Sequence, residues 1–366
     1  MNSSKLRVGD WVEVRCKDEI LKTLDSNGQL EGMPFMPEMF TFCGKRFQVY
    51  KRAHKTCDTV FPVRGRWVDH AVHLNTRCDG SAHGGCQASC LIFWKQAWLK
   101  PISGNSPEDP AFRAEVKPGN LNPELSGSGC TESTVVTRAW VDDPDGGEPS
   151  YVCQATQLPY ATKDLAWWDI RQYVEDYWSG NVGLGRIILS TVYSLYYTLS
   201  RAGVGLGPAM RWFYDKFHLL WRGTAFPRKT GTIPAGRPTP ALALELQPGE
   251  LVRIKSHEEI LKTLDTDSKN RGLYWDAEEV PYCGQTHRVL KRVTKIINER
   301  TGKMQEMQTP CIILDSVVCQ SRYSECRLFC PRSIYPYWRE IWLERVGPKT
   351  SEAPLQEDNE GATRRS

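Results

Sequence analysis

Glu19-Ile20-Leu21-Lys22-Thr23-Leu24-Asp25 recurs unchanged as Glu259-Ile260-Leu261-Lys262-Thr263-Leu264-Asp265, and this recurrence decides how the chain is divided. At the same offset of 240 residues Gly9 meets Gly249, Val12 meets Val252, Cys43-Gly44 meets Cys283-Gly284, and Lys51-Arg52 meets Lys291-Arg292. Farther on, Cys86 and Cys90 meet Cys326 and Cys330, and Cys78 meets Cys319 after a one-residue slip. Trp94 and Trp98 meet Trp338 and Trp342 across a four-residue insertion. Self-similarity at a fixed offset marks a repeated domain, so two copies are expected, at residues 6–102 and 246–346.

Working outward, Trp11-Val12-Glu13-Val14-Arg15 alternates as a half-buried strand does, and Asp18 to Asp25 reads as a short helix opened by an acidic cap. Arg46–Lys51, Ala71–Leu74 and Cys90–Trp94 are further short strand candidates. Five short strands with long loops suggest a small bent antiparallel barrel. The opening Val8-Gly9-Asp10-Trp11-Val12-Glu13-Val14 resembles the first strand of SH3-like barrels of the KOW type over about ten residues. The expected fold class is α+β: two mostly-β, SH3-like domains, each with a four-cysteine site, separated by a helical insertion.

Four cysteines occupy matching places in each copy: Cys43, Cys78, Cys86 and Cys90 in the first, Cys283, Cys319, Cys326 and Cys330 in the second. Their surroundings have diverged, from a Gly-rich Cys78–Cys90 to a Gly-free Cys319–Cys330, so something specific to sulfur is retained. Thirteen cysteines in a chain that opens without an apolar leader suggest a cytoplasmic, reducing setting, where spaced thiols serve metals more often than disulfides. Four thiolates around zinc form a closed tetrahedral site that contributes to folding. An iron–sulfur cluster takes the same ligand number with looser spacing. Buried apolar thiols without metal are the third reading.

The first copy alone carries His54 and Cys57, where the second has Thr294 and Ile297. A thiol beside Lys55 and near a histidine is a candidate nucleophile or redox pair; a solvated surface loop is the plainer alternative. His83 is a candidate replacement for one cysteine ligand. Basic residues interleaved with aromatics, in Arg46–Arg52 and Phe93–Lys100, suit stacking on single-stranded nucleic acid, although one-sided burial of strands yields the same pattern. Charge is nearly balanced, with 47 Lys and Arg against 43 Asp and Glu, so no extended polyanion-binding face is required.

Between the copies, residues 103–163 read as a linker with a hairpin, Thr134–Val141 and Ser150–Cys153 being joined at Asp142–Gly147. Cys130 and Cys153 flank it, available as a further thiol pair or to complete a site in a repeat. Residues 164–222 change to helical texture: one helix with Trp167, Ile170, Val174 and Tyr177 on a face, a second over Arg186–Arg201, and a third from Pro208. The apolar stretch Ile187–Leu199 is too short to span a bilayer. The expected role of the helices is a bundle packed between the repeats, with a partner-docking face or an in-plane membrane surface as alternatives. Residues 223–245 read as a second linker and 347–366 as a disordered tail.

These readings converge on a non-catalytic scaffold with two zinc sites docking a protein partner, since a closed site holds shape whereas catalysis needs an open position. The alternative is a redox enzyme or accessory factor using iron–sulfur clusters or the His54 and Cys57 pair.

Overall fold

The computed structural model describes residues 5–61, 64–102, 130–200, 207–220, 226–324 and 326–347. The linker expected over 102–128 and the tail after Gly347 fall outside these residues, apart from the first residue of the linker. The chain is α+β, with short helices and several small antiparallel sheets.

The alternation at Trp11–Val14 makes a central strand, paired on one side with Leu99–Pro101 and on the other with Arg46–Gln48. Its inward residues Val12 and Val14 are fully buried. Next come the helix Lys17–Leu21, the two-residue ladder Gln29–Leu30 with Met33–Pro34, and the 3-10 helix Pro37–Phe42. The same order recurs 240 residues later: strand Leu251–Ile254, helix His257–Leu261, ladder Lys269–Asn270 with Leu273–Tyr274, and 3-10 helix Ala277–Tyr282. Each region builds its own core. Val12, Ile20, Leu24, Phe35, Trp94 and Trp98 fill the first, while Val252, Ile260, Leu264, Trp275, Trp338 and Trp342 fill the second. One polar contact also recurs: Trp98 Nε1 donates to Thr23 Oγ1 at 3.1 Å, and Trp342 Nε1 donates to Thr263 Oγ1 at 2.9 Å. Buried indoles are thereby satisfied.

The regions diverge in the hairpin that follows. In the second, Thr286–Ile297 and Met304–Leu314 form one long ladder with register shifts at 289/291 and 293/295. In the first, the corresponding stretch breaks into Arg46–Gln48, Lys51–Arg52 and Lys55–Cys57, each paired with a different strand. The breaks fall where the second region has its shifts. The Lys55–Cys57 arm pairs with Gly65–Trp67, which takes Lys163–Leu165 as a third strand.

Each hairpin reaches across the other region. Lys51 Nζ donates to Ser333 Oγ at 2.9 Å, and its counterpart Lys291 Nζ donates to Ser89 Oγ at 3.0 Å. The Gln87 side chain accepts the backbone N–H groups of Thr294 (2.6 Å) and Lys295 (3.2 Å).

Several expected elements differ. Thr134–Thr137 belongs to a helix, Glu132–Thr137, capped by Thr131, and only Trp140–Val141 and Ser150–Tyr151 pair as the hairpin. The cap hydroxyl satisfies helical N–H groups and overrides the β-branched run. Cys90–Phe93 is not regular strand: Leu91 bridges Arg77, and the Gln154 side chain takes the Phe93 N–H at 2.8 Å. The first central helix is Arg171–Trp178, because Lys163–Leu165 is claimed by the sheet. Trp167, Ile170, Val174 and Tyr177 lie exposed, so they are not core of a bundle between the repeats. Leu184–Ser200 and Gly207–Leu220 are helices close to the expected bounds. Among the described residues no helix is long and apolar enough to cross a membrane.

Candidate metal centres

The Gly-rich loop after Ala71–His73 folds back so that Cys78 N–H meets the Cys90 carbonyl at 2.9 Å. Inside the loop, Gly80 accepts through its carbonyl from His83 N–H at 3.0 Å and Gly85 N–H at 2.9 Å. Gly80 has φ +77°, and a Cβ there would sit 2.1 Å from the Cys86 carbonyl oxygen. No other residue fits. The loop thereby turns Cys78, Cys86 and Cys90 toward a cavity of about 30 Å³, which Cys153 also lines, from the start of the helix Gln154–Ala161.

Glu38 holds this loop from beneath. Its buried carboxylate accepts from Ala82 N–H at 3.2 Å, from His83 Nδ1 at 2.6 Å and from the Cys78 thiol at 3.7 Å. His83 Nε2 lies 3.2 Å from the Val152 carbonyl, next to Cys153. Both ring nitrogens are thus engaged, and His83 positions the loop and Cys153 rather than offering a free lone pair. Glu38, Cys78 and His83 do bring three ligand atoms within 4.8 Å of one another.

In the second region Glu278 stands at the equivalent place. It accepts from the N–H groups of Arg322 (2.9 Å) and Tyr323 and from Ser324 Oγ (3.2 Å), supporting the Cys319–Cys330 loop. Here the thiol that joins comes from the other region. Cys57 N–H donates to Cys330 Sγ at 3.0 Å, and the Cys57 thiol is hydrogen-bonded to the same sulfur. Cys319 lies in electrostatic range of both. Cys326 sits alongside, its carbonyl oxygen 3.5 Å from where a Cβ on Gly65, the strand partner of Cys57, would stand.

Burial dominates the electrostatics. It pushes Cys78 and Cys319 well above the usual thiol range, Cys90 up to about 12 and Cys153 up to about 11. Cys57 is raised by its bond to Cys330 and by burial. Burial opposes ionisation of Cys330 as well, but the bonds it receives from Cys57 and from the Arg332 backbone prevail and draw it down. The raised thiols stay protonated until a cation displaces the protons, whereas Cys330 ionises more readily, at about 7. Arg332 is buried and paired with Glu299 at 2.8 Å. Glu299, Cys57 and Cys90 outweigh its burial and raise it further, so one guanidinium acts on a cysteine of each set.

Two of the cysteines expected as ligands are elsewhere. Cys43 ends the 3-10 helix Pro37–Phe42 and neighbours Cys16 and Lys17; it does not line the cavity of Cys78, Cys86 and Cys90. Cys283 packs against the second core beside Glu279. Each caps the C-terminus of its 3-10 helix and packs against its own core. Cys153 instead lines the cavity of the first loop, and Cys57 contacts Cys330 of the second. The 240-residue offset explains the asymmetry: position 57 corresponds to 297, and Ile297 N–H donates to Cys86 Sγ at 3.4 Å just as Cys57 N–H donates to Cys330. Where the first region supplies a thiol at this crossing point, the second supplies an isoleucine.

His54 and Cys57 are not brought together. His54 Nε2 faces the Gln172 carbonyl at 3.1 Å and Asp176 at 3.4 Å, and burial holds the ring near pKa 3, neutral. Lys55 pairs with Asp176 at 2.6 Å, not with the thiol. The aromatics Trp94 and Trp98 of the nucleic-acid candidate are fully buried and Lys95 pairs with Glu31, so this stretch presents no stacking face.

Glu38 and Glu278 were legible signals left unread, since they are identical at the 240-residue offset. Cys153, which the sequence offers as able to complete a site in a repeat, lines the first cavity, whereas the meeting of Cys57 with Cys330 depends on one region's hairpin arm reaching the other's loop. Neither the protein-family models nor the curated proteins contain a match to this chain.

Proposed function

We propose that the chain is a duplicated, SH3-like metal-thiolate protein with two four-cysteine centres, Cys78, Cys86, Cys90 and Cys153 in one, Cys57, Cys319, Cys326 and Cys330 in the other. The observation that carries this reading is the convergence of four cysteines from separate segments on one small cavity. Metal at the second centre would tie the two repeats together through Cys57, in a reducing compartment such as the cytoplasm.

Of the two occupants, an iron–sulfur cluster is the better supported. Zinc with arms of about 2.3 Å requires its four sulfurs roughly 3.8 Å apart. Among the described residues, the group of three ligand atoms that comes within 4.8 Å is Glu38, Cys78 and His83, and no trio of these thiols joins it. A cluster, bound at its corners, accepts a wider set at the first centre, whereas the thiol contact of Cys57 with Cys330 at the second also suits a single ion. N–H donors to Cys86 and Cys330 and the shared charge of Arg332 are of the kind that tunes cluster potentials. With every corner held by cysteine, such a cluster passes single electrons and leaves no position for substrate, which fits an electron-transfer accessory better than a catalyst. Single zinc ions in a scaffold are the second reading, favoured by the closed, buried setting.

Anaerobic purification with iron, sulfide and zinc analysis and electron paramagnetic resonance tests this. A brown protein is expected, in which Cys153→Ala and Cys57→Ala each remove one of two centres and Cys43→Ala removes none. Colourless protein with stoichiometric zinc would select the scaffold. Metal loss in Cys43→Ala but not in Cys153→Ala would refute the ligand sets.

A further inference from the structure

We propose that the helix pair Leu184–Ser200 and Gly207–Leu220 lies in the plane of an anionic lipid surface. This inference is independent of what the cysteines bind. On the first helix Leu184, Ile188, Val192, Leu195 and Leu199 follow one another at steps of three and four, forming one stripe, and all are more than half exposed. The opposite face is anchored: Tyr193 packs on Tyr323 and Tyr214, Tyr197 on Phe226, and Tyr196 donates to the Met210 carbonyl. The stripe is therefore the outer side of an attached element, not the inner side of a detached one.

Its polar neighbours are arranged for an apolar medium. Thr191 and Thr198 are exposed, yet each hydroxyl turns back to the carbonyl four residues earlier, at 2.8 and 2.9 Å, leaving the methyl groups outward. No charged residue occurs from Ile187 to Ser200. On the second helix Trp212 and Phe213 are exposed beside Arg211 and Lys216, with Lys216 Nζ 5.9 Å from the Trp212 ring. Exposed apolar side chains with interfacial tryptophan and flanking cations define an in-plane membrane element.

Charge selects the occupant. Arg211 and Lys216 stand exposed beside Trp212 and Phe213, while the acid of this segment, Asp215, is neutralised by Lys229 at 2.6 Å. A second copy seated on this face would bring like charges together, whereas acidic headgroups complement them.

The test is co-sedimentation of the full-length protein with vesicles of phosphatidylcholine alone and of equal parts phosphatidylcholine and phosphatidylglycerol. Binding to the mixed vesicles only is expected, falling as salt is added. Arg211→Gln and Lys216→Gln should each weaken it roughly fivefold, and Val192→Asp should abolish it with the circular dichroism spectrum unchanged. No sedimentation with the mixed vesicles overturns the proposal, as does binding that neither salt nor Val192→Asp alters. A dimer in light scattering that Val192→Asp splits, without vesicle binding, would assign the face to self-association.

Discussion

The hairpins of the two regions share their crossing point but not their construction. The later one is a continuous ladder from Thr286 to Leu314, whereas the earlier one is cut into short arms that pair with separate strands. The difference shows most at equivalent lysines. Lys295 reaches the Gly84 carbonyl at an exposed edge, while Lys55 is buried under the rings of Tyr173 and Phe329 and bound to Asp176. The continuous ladder pairs along most of its length and hands the N–H groups of Thr294, Lys295 and Ile297 to Gln87 and Cys86 of the other region. A broken one must be held by side chains from outside, and here the Arg171–Trp178 helix supplies them through Gln172 and Asp176. Only the broken arm carries a cysteine into the opposite loop.

The largest effect should come from breaking that external support. Asp176→Ala strands a buried ammonium and is expected to cost about 3–5 kcal/mol in urea unfolding, whereas Lys295→Ala should cost under about 1 kcal/mol. Equal costs would mean that the earlier hairpin does not depend on the helix.

Acid should sharpen the contrast. Burial foremost holds His54 and His73 down to about 3 and His257 to about 4, against the ordinary 6.5. Between those values the unfolded chain takes up protons that the folded chain refuses. Stability is therefore complete above about pH 6.5 and declines toward acid, by at most about 1.4 kcal/mol per unit for each ring. Asp176 works in the other direction. Burial raises it to about 6, so between there and 3.8 the folded state binds the proton first and offsets one ring. His73→Gln and His257→Gln should flatten the decline alike between pH 6.5 and 4.5 and part only below it, where folded His257 takes up its proton near 4 and His73 still refuses its own. An unchanged slope in His73→Gln would remove the buried ring as its cause.

The smallest effect tests likeness instead of difference. Thr23→Val and Thr263→Val each leave a buried indole N–H without its acceptor and should cost about 1 kcal/mol apiece. A clear inequality in thermal unfolding would show that the two cores are less alike than the shared Trp–Thr bonds indicate.

Much of the fold was legible because its signals are local. The alternation of Trp11–Val14, the recurrence of Glu19–Asp25 and the spacing of the central helices depend on near neighbours along the chain. The candidate site was legible in part: Cys78, Cys86 and Cys90 line one cavity as their spacing suggested, and Gly80 explains why that loop needs a glycine. The expected hairpin forms at Trp140–Val141 and Ser150–Tyr151, but residues 134–137 join a helix because the Thr131 hydroxyl caps it and outweighs β-branched propensity.

The repeated order of elements, the three cysteines of each loop and the absence of a charge bias were determined by the sequence alone, since each rests on residue type and spacing. Which cysteine completes each set was decided only in three dimensions. Cys43 and Cys283 keep matching places yet end at the cores, while Cys57 and Cys153 have no match and reach the loops. The reason is physical: which cysteines meet depends on how one hairpin arm lies over the other region's loop, and that geometry is set by long-range packing that no offset or spacing records.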